Sequence, residues 1–148
     1  MAAAENIVSV RPIGGGEDDF SLVSAVRRTV FIEEQRVPEE EEWDHLDGVA
    51  VHLLAEMDGR AVGTLRFYED DGWLHVGRVA VLRECRGAGV GRVLMERCLA
   101  EGRRMGLSHS FLNAQTDKAG FYRRLGYREV GGEFMEAGIP HVRMEREV

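Results

Sequence analysis

Ile7 to Ile13 alternates apolar with other residues, the period of a half-buried strand, and Gly14, Gly15 and Gly16 end it. Asp18 or Asp19 is a candidate cap for the next segment. There Phe20, Val23, Val26, Val30 and Phe31 recur every three or four residues and predict an amphipathic helix. The acidic stretch EEQRVPEEEEWDHLD, residues 33–47, is broken by Pro38 and reads as a loop with room for a short second helix. Apolar runs at Val49 to Met57 and Ala61 to Tyr68 flank Asp58, Gly59 and Arg60, an Asp-Gly signal for a tight hairpin. Asp70, Asp71 and Gly72 mark a second turn into Trp73 to Leu82, giving three strands in meander order. Gly77 is the predicted site of a bulge in the last of them.

After Leu82 a glycine-rich loop leads into a helix carrying Val90, Val93, Leu94, Cys98 and Met105, which stops near Gly102 or Gly106. Ser110 to Ala114 is a short strand and Asp117 to Leu125 a helix stopped at Gly126. Tyr127 to Phe134 and His141 to Arg146 form a terminal hairpin around AGIP. The order describes an α/β chain of mixed α+β type with a central mixed, mostly antiparallel sheet of six or seven strands and about four helices on both faces. The free edges of the terminal hairpin make a homodimer an expectation.

Composition narrows the classes. The 148 residues suit a single domain over 1–148, with no repeat or linker and no need of metal or disulfides. A net charge of -7 argues against gripping nucleic acid. No apolar run approaches a membrane span and the start MAAAENIVSV lacks an export signal, so no membrane partner and a cytoplasmic location are expected. Cys85 and Cys98 are expected as free thiols, and the five histidines show no metal-ligand spacing.

The chemistry concentrates at RGAGVG, Arg86 to Gly91. A strand ending where a helix begins directs free backbone N–H groups and the helix dipole at one spot, which favours an anion. Gly87, Gly89 and Gly91 permit a sharp turn and close approach, and Arg86 and Arg92 add positive charge. Gly91 is followed by Arg92 and Val93, so the Lys and hydroxyl of a nucleotide-triphosphate loop are missing. The spacing GxGxG and the lack of an acid in Leu107 to Phe111 do not fit the dinucleotide fingerprint. By spacing alone the same glycines suit a plain tight turn.

Arg86, Gly89 and Gly91 also match the Arg/Gln-x-x-Gly-x-Gly/Ala signature of the GNAT superfamily of N-acetyltransferases. GRVAVL before the loop and LNAQTDKAGFYRRLGY after it resemble the family's fourth strand, fifth strand and fourth helix. VFIEEQRVPEE, AVHLLAE and GGEFMEAGIPH resemble its bacterial YjcF-like or ElaA-like subgroup. The resemblance implies acetyl-CoA as cosubstrate and a small amine or peptide amine as acceptor. The coenzyme would be held by Arg86, Gly87, Ala88, Gly89, Val90, Gly91 and Arg92, and by strand pairing of its pantetheine arm to Val79, Ala80 and Val81. It further implies Tyr122 as the acid beside the coenzyme sulfur, Asn113 as a coenzyme contact and a backbone N–H of Val79 or its neighbours on the bulged strand as oxyanion donor.

Acyl transfer to an amine needs a free nitrogen lone pair, a donor for the oxyanion and a proton for the leaving thiolate. A phenol keeps its proton at neutral pH and can lend it to a thiolate, so Tyr122 suits the last task. Glu34 and His52 are the leading candidates for the base, ahead of His141. Cys85, beside Arg86, is read as a strand-end residue rather than a nucleophile. Glu39 to Asp47 reads either as a mouth attracting cationic amines or as a solvated face. The alternative to an enzyme is a non-catalytic acyl-CoA sensor or partner module, because the cradle demands only backbone amides and arginines.

Overall fold

The computed structural model describes residues 7–14 and 19–148; the expected glycine stop at Gly15 and Gly16 and the Asp18 cap lie outside them. Seven strands form one sheet: β1 Val8–Gly14, β2 Val51–Met57, β3 Arg60–Asp70, β4 Trp73–Val81, β5 His109–Gln115, β6 Arg128–Glu136 and β7 Ile139–Glu147. Their order across it is β1-β2-β3-β4-β5-β7-β6. Every neighbouring pair is antiparallel except β4 with β5. The hairpin turns carry two successive left-handed residues, Asp58 with Gly59, Asp71 with Gly72, and Ala137 with Gly138, the conformation a two-residue hairpin needs. The last of these starts β7 at Ile139, earlier than the expected His141.

Helix α1 spans Phe20–Arg27 and runs on as a π-helix over Arg28–Glu34, where a single regular helix was expected. The widened turns carry Val30 and Phe31 under cover and end with Glu34 beside the glycine loop. Asp19 stands at the helix start without capping it, since its carboxylate accepts from Arg11 at 2.7 Å instead. After Pro38 comes the short helix α2, Glu39–Glu42. Helix α3 spans Val90–Arg104 and is closed by left-handed Gly106; α4 spans Ala119–Arg124 and is closed by Gly126.

Strand alternation sorts the helices onto the two faces. His52 and Leu54 of β2 turn toward α1, where Leu54 packs with Ile13 and Val23, and the His52 ring meets Phe20 edge to face. Leu53 and Ala55 turn the other way, as does Gly63, paired with Ala55. A Cβ at Gly63 would lie 2.9 Å from Val90 and 3.2 Å from Leu94, so α3 crosses β3 at a point where only glycine fits without displacement. Among the described residues no helix is long and apolar enough to cross a membrane.

Candidate active site

Two irregularities in β4 open the sheet. Its parallel pairing with β5 runs through Leu74↔Ser110, His75↔Phe111 and Val76↔Leu112 and then stops, although both strands continue. Against β3 the register passes from Arg66↔Gly77 to Thr64↔Ala80, so Arg78 and Val79 together stand opposite Leu65. This is the expected bulge, but the left-handed residue is Arg78, with φ 52°, rather than Gly77. The two strands therefore part at Val76 and Leu112, leaving a cleft of about 920 Å³ whose walls include Val79, Ala80 and Val81 on one side and Asn113 and Ala114 on the other.

The glycine loop closes one end of the cleft. Gly87 and Gly89 are both left-handed, at φ 85° and 84°, and Gly89 precedes α3 with no side chain capping the helix. The first amides of α3 are thus left for a ligand in the cleft, with Arg92, Lys118 and Arg124 on the same walls. Gly91 serves packing as well, since a Cβ there would stand 3.0 Å from the Phe121 ring. Val90 is buried, and Ala88 is exposed at the loop tip, off the cleft wall. Arg86 is engaged inside the chain: its Nη1 and Nη2 donate to Glu34 at 2.7 and 2.8 Å, and its Nε donates to the Val81 carbonyl at 3.0 Å.

That pairing corrects the reading of Glu34 as a base. Arg86, by hydrogen bond and charge, holds the Glu34 carboxyl below the ordinary carboxylate range, where it does not accept a proton near neutral pH. His52 is also removed from the chemistry. It is fully buried on the α1 face, outside the cleft walls, with Nε2 donating to the Asp47 carbonyl at 3.0 Å. Burial lowers its pKa.

Tyr122 lies in the cleft wall, 8 % exposed, and burial pushes its phenol well above 10, so it keeps its proton. Asn113, half-buried, is the first residue of β5 beyond the parting of the strands. Two histidines share the cleft. His141 bonds the Ile139 carbonyl through Nδ1 at 2.7 Å, and its Nε2 lies 3.4 Å from Glu136. His75 was not singled out from the sequence. It stands on β4 immediately before the parting, its Nδ1 3.1 Å from the Asp70 carboxylate, its ring 4.2 Å from that of Phe111. Because a carboxylate only accepts, Nδ1 carries the hydrogen and Nε2 keeps its lone pair. Burial lowers the His75 pKa despite Asp70, which favours the neutral ring. The alternation of β4 and an acid across the Asp71-Gly72 turn are the signals that could have found it.

The acidic loop is neither an open mouth nor a solvated face along its whole length. Arg27, with no exposed surface, donates to Glu42 at 2.7 Å and to Asp47 at 2.6 Å, and Arg66 donates to Asp44 at 2.6 Å and Asp47 at 2.9 Å. Burial works against ionisation of Asp44 and Asp47, yet their bonds to Arg66 and Arg27 keep both carboxyls below their usual range. The carboxylates face inward and pin the loop over the cleft. Cys85 and Cys98 are buried free thiols, and no group of three or more His, Cys, Asp or Glu is placed to hold a metal among the described residues.

Residues 18–148 match the family model of the acetyltransferase (GNAT) domain. The uncharacterized N-acetyltransferase YjcF of Bacillus subtilis is 38 % identical over 139 residues, covering 91 % of this chain and 97 % of that protein. Protein ElaA of Escherichia coli is 33 % identical over 133 residues, covering 83 % of this chain and 84 % of that protein. The ElaA crystal structure superposes with a TM-score of 0.83 over 95 % of this chain and all of that one. An acyl-CoA N-acyltransferase structure from Pseudomonas aeruginosa gives 0.82 at 31 % identity, covering 95 % and 99 % of the two chains.

Proposed function

The chain belongs to the GNAT family of acetyltransferases, whose members carry out acetyl-CoA-dependent acyl transfer, and we propose that it is a single-domain N-acetyltransferase acting on a primary amine by direct attack in a ternary complex. The observation that carries this reading is the parting of β4 and β5 at Val76 and Leu112, which opens a cleft lined as well by Gly89, Val90 and Gly91 at the uncapped start of α3. The residues fit the coenzyme. The free edge of Val79 to Val81 suits pairing with an extended amide-bearing arm, and the amides at the start of α3, with Arg92 and Lys118, suit a diphosphate. The bound coenzyme supplies the activated acyl thioester.

The chain's own groups divide the remaining work. His75 Nε2 takes a proton from the acceptor ammonium, directly or through water, while Asp70 holds the ring and offsets the charge it gains. The Val79 N–H meets the negative charge that develops on the thioester oxygen. Tyr122 gives its proton to the departing sulfur and is restored by the proton that the acylated nitrogen loses. Arg86, tied to Glu34, orders the loop rather than meeting phosphate directly. Asn113, beyond the parting, suits a contact to the coenzyme arm. The exposure of β6 along all nine residues at a sheet edge supports a homodimer joined there.

Thiol release from acetyl-CoA, measured across polyamines, amino acids, aminoglycosides, aryl amines and peptides, tests the reading. Tyr122→Phe should lower kcat by about 10²- to 10⁴-fold with coenzyme A affinity unchanged. Coenzyme A binding with no thiol released on any amine would make the protein a binding module instead.

A further inference from the structure

Arg78 occupies the one position of β4 where a side chain is least welcome. Its φ of 52° is left-handed, a region that disfavours a Cβ, and glycine would sit there without strain. A glycine is adjacent, at Gly77, whose missing Cβ would meet only open space. A bulge by itself therefore does not account for an arginine at 78; its guanidinium does. Nη2 donates to the carbonyls of Glu41 at 3.3 Å and Glu42 at 3.1 Å and lies 3.4 Å from the Asp44 carboxylate, and Nε is 3.4 Å from the Glu42 carboxylate. Those partners are themselves fixed from behind, Glu42 by buried Arg27 and Asp44 by Arg66.

We propose that Arg78 is a positioning residue for acyl transfer: its guanidinium, gripped by the loop around Glu42 and Asp44, holds the bulge in its left-handed form and so aims the backbone of Val79 into the cleft. Residues 78 and 79 lack separate partners in the β3 register, and β5 has already departed at Val76, so neither neighbouring strand fixes this peptide. The anchor comes from the side chain. One consequence is that the acidic loop and the oxyanion donor move as a unit. The inference rests on the reading of Val79 as that donor.

Three variants test it in the full chain: Arg78→Gly, which relieves the backbone but removes the anchor; Arg78→Lys, which keeps a charge with fewer donors; and Asp44→Asn. Coenzyme A affinity by calorimetry should fall by no more than about tenfold in all of them, since the glycine loop is untouched and only the share of Val79 in pairing the coenzyme arm is lost. With acetyl-CoA and the best amine of the panel, Arg78→Gly should lose about 10²- to 10³-fold in kcat, more than any rise in KM for acetyl-CoA, and Arg78→Lys should lose less. The amide resonance of Val79 in ¹⁵N-labelled protein should be sharp in the parent chain and broadened in Arg78→Gly without any ligand. A merely structural role would lower Tm and leave kcat and that resonance alone, which overturns the proposal. If no amine is acetylated, the transferase reading fails, and the ligand-free Val79 resonance still decides whether Arg78 fixes the bulge. If Arg78→Gly does not fold, Asp44→Asn must broaden the same resonance, or the inference is wrong.

Discussion

Arg86 and Glu34 meet fork to fork, two guanidinium nitrogens on two carboxylate oxygens at 2.7 and 2.8 Å, so the arginine of the glycine loop is committed to the end of the first helix. Removing the arginine leaves the Glu34 carboxylate with only Arg83 Nη2, at 3.6 Å, beside a site that suits a diphosphate. Arg86→Gln should therefore weaken coenzyme A binding by about tenfold, and adding Glu34→Gln should restore it to within about threefold, because the repulsion is gone. Calorimetry on the two single variants and the double variant reads this directly; additive losses would show that Arg86 contacts the ligand itself.

The proposed base sets a pH dependence with a definite sign. His75 must be neutral to take a proton, and burial lowers its pKa below the ordinary 6.5, outweighing Asp70. Activity should be lost as pH falls through that lowered value, so the midpoint of the acid limb of kcat/KM should lie below pH 6.5. His75→Gln should remove the acid limb and cost about 10²- to 10⁴-fold. Asp70→Asn takes away a group that raises the pKa, so the limb should move to lower pH and the rate should fall as ring orientation is lost.

Arg27 is the buried keystone of the acidic loop. Arg27→Ala would take from Glu42, only 2 % exposed, its 2.7 Å guanidinium partner and leave it only Arg78 Nε at 3.4 Å, at a cost of about 3–5 kcal/mol. Urea unfolding should show this loss, and pairing Arg27→Met with Glu42→Leu should recover most of it, since the stranded charge goes with its partner.

Gly63 tests the contact between α3 and the sheet. In Gly63→Ala the new Cβ meets Val90 at 2.9 Å and the Ala80 carbonyl at 3.2 Å, and the backbone oxygen has little room to yield. A loss of about 1–3 kcal/mol is expected from overpacking. An unchanged Tm would mean that α3 rides further from β3.

The sequence by itself determined the order of elements, the hairpin turns and the glycine loop, because Asp-Gly turns, helical spacing and GxGxG are local and act within a few residues. It also marked Tyr122 and Val79 to Val81, which the fold brings to one cleft. Only the tertiary structure decided that Glu34 and His52 lie outside the proposed chemistry, that His75 stands at the parting of β4 and β5, and that the carboxylates of Glu42, Asp44 and Asp47 point inward. The two glutamates depend on partners far along the chain, Glu34 on Arg86 and Glu42 on Arg27. Whether a carboxylate faces water, a guanidinium or a substrate is set by long-range register and burial, which fix its pKa and direction only once the strands have paired.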